Sequence, residues 1–253
     1  MEYGLIGEKL GHSYSKQIHA RFADYSYELH PVAPEDLDFF MKARDFKGIN
    51  VTIPYKRDVI AYLNCIDPLA EKIGAVNTIV NKNGMLTGYN TDYLGFMACL
   101  KYFRISLLGK KILCLGNGGV AKPIIAYAKD AGAKQIIIVK YKTEPGTVTY
   151  SEAASLHSDA DIIINATPVG MYPDIDRSPI SLEPYHNLSA VVDVIANPLE
   201  TKLLKEASAL GLKNAGGLFM LVAQAKYAAE YFLDKKISDD EIIPVYEYIK
   251  TLM

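Results

Sequence analysis

Residues 110–128 read KKILCLGNGGVAKPIIAYA. A short, unbroken apolar run, ILCL, marks a strand covered on both faces, and the spacing after Val120 marks a helix. Between them stand Gly116, Gly118 and Ala121 in G-x-G-x-x-A register. Glycines there allow a tight turn and let a diphosphate reach the helix amino terminus, where free N–H groups and the helix dipole favour anions. Taken alone, the same glycines also suit a strand–helix turn that holds no ligand.

Working outward, QIIIVK (135–140), DIIINA (161–166) and AVVDVI (190–195) repeat the short apolar strand. Strands alternating with helical stretches predict an α/β fold with a mainly parallel sheet. The first half is also α/β, with strands at 3–6, 27–32 and 50–53 and helices through 16–22 and 35–43. Pro34 suits the first turn of the second of these helices. Asn83-Gly84 joins two alternating runs as a hairpin. A boundary falls near residue 92, within the helix beginning at Asp92 or just before it. GLFMLVAQAKYAAEYFL (217–233) and DDEIIPVYEYIKTL (239–252) are helical, and Asp239 and Asp240 suit the start of the last helix. Local pattern does not say which half this tail joins.

The 253 residues suffice for one large domain or two modest ones. A net charge of -2 gives no electrostatic case for nucleic acid or an anionic membrane. The opening MEYGLIGEKL is neither a signal peptide nor a membrane anchor. Cys65, Cys99 and Cys114 are scattered in apolar settings and read as buried thiols in a reducing cytoplasm, which predicts a cytoplasmic protein. The five histidines show no metal-ligand spacing, so no metal is expected. Tyr3, Tyr25 and Tyr27 suit either a core or an interface, and monomer and homodimer both fit.

Three stretches carry candidate chemistry. In NVTIPYK (50–56), Asn50 and Thr52 alternate with Val51 and Ile53, and Lys56 follows the turn. In GYNTD (88–92), Asn90, Thr91 and Asp92 are all able to cap a helix. If the first sheet is parallel at NVTI, Lys56 lies beyond a strand's carboxyl end, where open α/β sheets bind ligands, and a Lys56–Asp92 pair would move protons. In VKYK (139–142), Lys140 and Lys142 close the second strand of the nucleotide half where an acid would serve NAD. Two ammonium groups there suit the 2′-phosphate of NADP, and a pair of surface lysines is the other reading.

Together these stretches resemble the shikimate dehydrogenase family over more than 200 residues. GLIGEKLGHSYSKQIHARF, GINVTIPYK, GAVNT, GYNTD, GNGGVAK, INATPVGM and GGLFMLVAQA follow in the family's order. The resemblance implies two α/β domains, an amino-terminal substrate domain and a Rossmann-like nucleotide domain, with the active site in the cleft between. Residues 1–91 plus 218–253 would form the first, and 92–217 the second. The implied reaction is NADP-dependent interconversion of shikimate and 3-dehydroshikimate, on the route to aromatic amino acids. Carried over by residue, Lys56 and Asp92 would be catalytic. Ser13, Ser15, Thr52, Asn77, Asn90 and Gln224 would bind substrate. Gly116, Gly118, Gly119, Ala121, Lys140, Lys142, Asn165, Thr167 and Gly217 would bind the cofactor. His12 reads as structural.

The chain departs from the family pattern at Ala196 of DVIANP, where a tyrosine is usual. It departs again at Lys140, Tyr141 and Lys142, where N-R-T is common, and in a segment after Lys142 short enough to lack a helix. Lys16 also replaces a common proline. These differences leave room for a quinate/shikimate dehydrogenase with relaxed substrate or NAD/NADP use, or for a ligand-binding homologue without turnover.

Overall fold

The computed structural model describes residues 1–11 and 13–253; His12 lies outside the described residues. The apolar YGLIG forms β1 (Tyr3–Gly7), buried along its whole length. After it come α1 (Ser15–Phe22), β2 (Tyr27–Pro31), α2 (Leu37–Ala43) and β3 (Gly48–Val51). Then follow β4 (Cys65–Ile66), α3 (Pro68–Ile73), β5 (Thr78–Lys82), β6 (Met85–Tyr89) and α4 (Thr91–Tyr102). Pro34 opens a 3-10 turn, Pro34–Asp36, which leads into α2. The sheet order is β2-β1-β3-β5-β6-β4; β1 runs parallel to β2 and β3, while β5 is antiparallel to β3 and β6. Asn83 and Gly84 both take positive φ (53° and 84°), as a two-residue hairpin turn matched to strand twist requires.

Both faces of β3 are covered. Ile49 and Val51 join Ile6, Tyr55, Val59 and Ile79 in one core cluster. On the other face, a Cβ on Gly48 would overlap the Phe232 ring, so only glycine admits that side chain. Ile53, expected to continue the alternation, is instead 72% exposed, because the strand ends at Val51 and the chain turns. Tyr3 and Tyr27 are core residues, and Tyr25 packs beside them. His19 stacks on Tyr27 with centroids 3.9 Å apart, and burial pushes the His19 pKa down to about 3.

The second sheet is built from β7 (Lys111–Leu115), α5 (Ala121–Asp130), β8 (Gln135–Lys140), β9 (Thr147–Thr149) and α6 (Tyr150–Leu156). It continues through β10 (Ile162–Asn165), β11 (Ala190–Asp193), α7 (Lys202–Ala209) and β12 (Lys213–Gly216). Its order is β12-β11-β10-β7-β8-β9, and every pairing is parallel. The chain winds outward from β7 through β8 to β9 and then resumes on the other side at β10. This is the doubly wound, Rossmann-like order, with its switch point between β7 and β10. Residues 141–146 alone connect β8 to β9, with no helix. Thr147 pairs with Ile138, so the chain retreats only slightly along β8 and needs no long crossover.

The tail forms α8 (Gly217–Leu233) and α9 (Ile242–Lys250). Asp239 and Asp240, expected to start the last helix, instead lie in a 3-10 turn, Asp239–Glu241. Ser238 caps that turn by accepting from the Asp240 N–H, and α9 begins only at Ile242. Two compact units result: Met1–Gly95 with Val222–Leu252, and Phe96–Leu221. Within the tail, Lys226 forms ion pairs of 2.9 Å with both Glu230 and Asp239, which brace α8 against the turn before α9. Phe232 packs with Tyr3, and the Arg21 guanidinium lies 3.6 Å from the Tyr248 ring centroid. Among the described residues no helix is long and apolar enough to cross a membrane.

Candidate active site

In the first unit, strand direction gathers the candidate residues at one edge. β1 and β3 are parallel, so the segments that leave them, carrying Ser13 and Ser15 or Thr52 and Lys56, depart from the same edge. β5 runs the other way and therefore starts there, next to Asn77, while β6 ends there, ahead of Asn90 and α4. This is the carboxyl edge of the parallel strands, where open α/β sheets form ligand crevices.

At that edge Lys56 Nζ donates to Asp92 Oδ2 at 2.6 Å, with only 14% and 10% of the two side chains exposed. Asp92 stands in the first turn of α4, where the helix dipole favours a carboxylate. Asn90 does the capping: its Oδ1 accepts from the Tyr93 N–H, and its Nδ2 donates to Ala75 O. Thr91, one possible cap among three, works instead as a hub. Asn77 Oδ1 accepts from the Thr91 N–H at 2.7 Å, and the Thr91 hydroxyl donates to Gln224 Oε1 at 3.3 Å. Asn77 and Gln224 therefore meet on Thr91. Behind them Asn50 accepts from the Tyr27 hydroxyl and donates to Thr78 Oγ1 and Asn77 O, which fixes the start of β5.

Ser13 and Ser15 are joined by a 2.9 Å hydroxyl bond, and Ser13 Oγ accepts from the Ser15 N–H. Ser13 Oγ thus takes the first N–H of α1, and the N–H groups that follow in the first turn suit an anion. Thr52 presents its methyl to Gly7, where a Cβ would come within 2.5 Å of it.

In the second unit every cofactor candidate lies at the carboxyl ends of parallel strands. Gly116 has φ +93°, and a Cβ there would strike the Thr167 methyl at 2.9 Å, so the glycine turn sits directly on Thr167. At Gly118 a Cβ would meet nothing within 4 Å, which leaves room for a ligand's approach; Gly119 follows it, and Ala121 is the buried first residue of α5. Gly217 must be glycine, because a Cβ would collide with Val194 O. The open Gly118 and the turn leading into α5 suit a dinucleotide diphosphate.

Asp193 is fully buried at the end of β11. It accepts from Asn165 Nδ2 (3.1 Å), the Ile195 N–H (3.1 Å) and the Thr201 hydroxyl (2.8 Å). Asn165 in turn accepts from the Thr167 N–H and hydroxyl, and Ile195 O accepts from the Gly217 N–H. Asp193 thus orders both sides of the nucleotide edge. Burial raises its pKa to about 6 against these three bonds. A lone acid inside the apolar run AVVDVI is the sequence signal for it. Lys140, read as one of two free cations, is ion-paired with Glu144, while Lys142 is exposed. The short β8–β9 connection folds Glu144 back, a consequence invisible in the linear sequence.

A doubly wound parallel sheet with an open glycine turn, joined in one chain to a second α/β unit, defines the class: a two-unit α/β oxidoreductase of the dinucleotide-dependent kind. Residues 5–79 match the family described as shikimate dehydrogenase substrate binding domain. A shikimate dehydrogenase (NADP(+)) of Clostridium beijerinckii is 42% identical over 257 residues, covering 93% of this chain and 94% of the relative. A chorismate mutase/shikimate 5-dehydrogenase fusion protein from Clostridium acetobutylicum superposes with a TM-score of 0.93 at 38% identity, covering 98% of this chain and 97% of that one. Shikimate 5-dehydrogenase from Thermus thermophilus, solved in complex with NADP(H) and shikimate, gives a TM-score of 0.87 at 30% identity, covering 98% and 99%. The chain belongs to the shikimate dehydrogenase family.

Proposed function

We propose that this protein catalyses the reversible, NADPH-dependent reduction of 3-dehydroshikimate to shikimate, in the cytoplasm. The observation that carries the reading is the Lys56–Asp92 pair, held in a largely buried position at the carboxyl edge of the first sheet. The family relationship supplies the reaction, and the buried pair supplies the means to run it. Residues 1–91 plus 218–253 serve the substrate, and 92–217 serve the nucleotide.

NADPH supplies the hydride for the ring carbonyl carbon. As negative charge develops on the carbonyl oxygen, the Lys56 ammonium donates to that oxygen and transfers its proton; in the oxidative direction Lys56 takes the hydroxyl proton back. Asp92 holds the ammonium in place, and help of this kind is worth roughly 10²–10⁴ in rate. The Ser13 and Ser15 hydroxyls bind the substrate carboxylate beside the first turn of α1. Thr52, Asn77, Asn90 and Gln224 hold the ring hydroxyls and the carboxylate, with Thr91 fixing Asn77 and Gln224. Gly116, Gly118, Gly119 and Ala121 cradle the diphosphate. Lys140, Lys142, Asn165, Thr167 and Gly217 would hold the rest of the cofactor, with the two lysines offering positive charge to a 2′-phosphate.

Cytoplasmic residence accords with three unpaired cysteines: Cys99 and Cys114 are buried thiols pushed up to about 12, whereas Cys65, expected to be buried, is exposed. The test is direct. Purified protein should reduce NADP when given shikimate, and folded protein inert with both NADP and NAD would overturn the proposal.

A further inference from the structure

The end of β8 lies against the glycine turn: the Gly116 N–H donates to Val139 O at 2.9 Å, and Lys140 is the next residue. In doubly wound folds the adenosine ribose lies at this place, read by an acid for NAD or by cations for a 2′-phosphate. Here the place holds both charges. Lys140 is ion-paired with Glu144, and their side chains are 27% and 52% exposed, so both reach solvent.

Glu144 is not on a floppy loop. Its N–H donates to Thr147 Oγ1 at 3.0 Å, and its carbonyl accepts from both the Thr147 hydroxyl (2.9 Å) and the Thr147 N–H (3.0 Å). Thr147 is the first residue of β9, paired with Ile138 of β8. The sheet itself therefore positions the carboxylate beside the strand end. Tyr141, 69% exposed, rests its ring on Tyr150 at 4.8 Å between centroids and offers a flat face to a base. Lys142 remains as an exposed cation.

We propose that Glu144, set against Lys140, is a specificity-determining residue through which this chain binds NAD on nearly equal terms with NADP. The carboxylate accepts from the two ribose hydroxyls of NAD. With NADP, the 2′-phosphate carries roughly −1.5 to −2 charges, must displace Glu144 from Lys140, and draws on Lys142 as well. Attraction and repulsion nearly cancel at this solvent-exposed place, so neither cofactor is excluded. The inference rests on reading the second unit as the nucleotide domain.

Calorimetric titration of the full chain with NADP and with NAD, without substrate, tests it independently of turnover. The two dissociation constants should agree within about tenfold, the scale of a single exposed charge interaction. Glu144→Gln should shift the ratio toward NADP by about tenfold, with weaker NAD binding, whereas Lys140→Met should shift it toward NAD. NADP binding a hundredfold tighter than NAD in the unaltered chain, or a ratio unmoved by Glu144→Gln, overturns the role of Glu144 and leaves the reductase reading standing. Folded protein that binds neither dinucleotide overturns both.

Discussion

Lys56 Nζ lies 2.6 Å from Asp92 Oδ2, although one residue follows a strand and the other opens a helix reached only after the β5–β6 hairpin. The antiparallel hairpin runs out and back, returning the chain to the edge that β3 had left. With both side chains largely buried, loss of either leaves its partner as a poorly solvated charge. Lys56→Ala should lower kcat by roughly 10²–10⁴ while shikimate binding changes little. Steady-state kinetics with direct shikimate titration would check this, and a loss confined to KM would contradict a proton-handling role.

Thr91 separates binding from chemistry. Thr91→Val keeps the shape and the backbone N–H bond to Asn77, but removes the hydroxyl that reaches Gln224, accepts from Asn77 Nδ2 and bonds Thr78 Oγ1. The expected result is a KM for shikimate raised about tenfold, the worth of roughly one buried hydrogen bond, with a smaller change in kcat. A kcat loss as large as that of Lys56→Ala, at unchanged KM, would instead place Thr91 in the chemical step.

Asp193 makes stability depend on pH. Its carboxyl titrates at about 6 in the fold against an ordinary 3.8, because burial disfavours the charged form. The stability it contributes is therefore fully present below pH 3.8 and lost as pH rises through about 6. Asp193→Asn cannot ionise, so its melting temperature relative to the unaltered chain should be more favourable at pH 8 than at pH 4. Parallel melting curves across that range would refute the raised pKa. Asp193→Ala, by contrast, strands the Ile195 N–H and the Thr201 hydroxyl hydrogen and should cost about 2–4 kcal/mol.

Two ion pairs offer a contrast in burial. Lys226, 3% exposed, bonds Glu230 and Asp239, whereas Lys82 and Asp234 pair in the open at 64% and 84% exposure. Lys226→Ala should destabilise the fold by about 1–3 kcal/mol, because it takes the buried cation from Glu230, which keeps only the Ile237 N–H and the exposed Lys236. Lys82→Ala should cost less than about 1 kcal/mol, and that cost should vanish in high salt. Equal effects in chemical denaturation would show that burial does not govern these pairs.

Much of this protein is legible in the linear chain, because it depends on local spacing. Continuous apolar runs mark β7, β8, β10 and β11, since strands covered on both faces tolerate no polar alternation. The glycine register places the turn before α5, and Asn83-Gly84 places the hairpin, both being demands of backbone geometry. The family motifs point to Lys56 and Asp92 as a pair. What tertiary structure alone decided is which groups meet across long separations. The tail joined the first unit because Phe232 and Tyr248 find partners there in Tyr3 and Arg21, a choice no helical pattern encodes. Asp193 became a hub because parallel pairing puts it beside Asn165. At short range too, Glu144 came to face Lys140 because the β8–β9 connection is too short for a helix and folds back. Spacing along the chain set the elements, whereas burial and strand pairing, which act between distant residues, assembled the site.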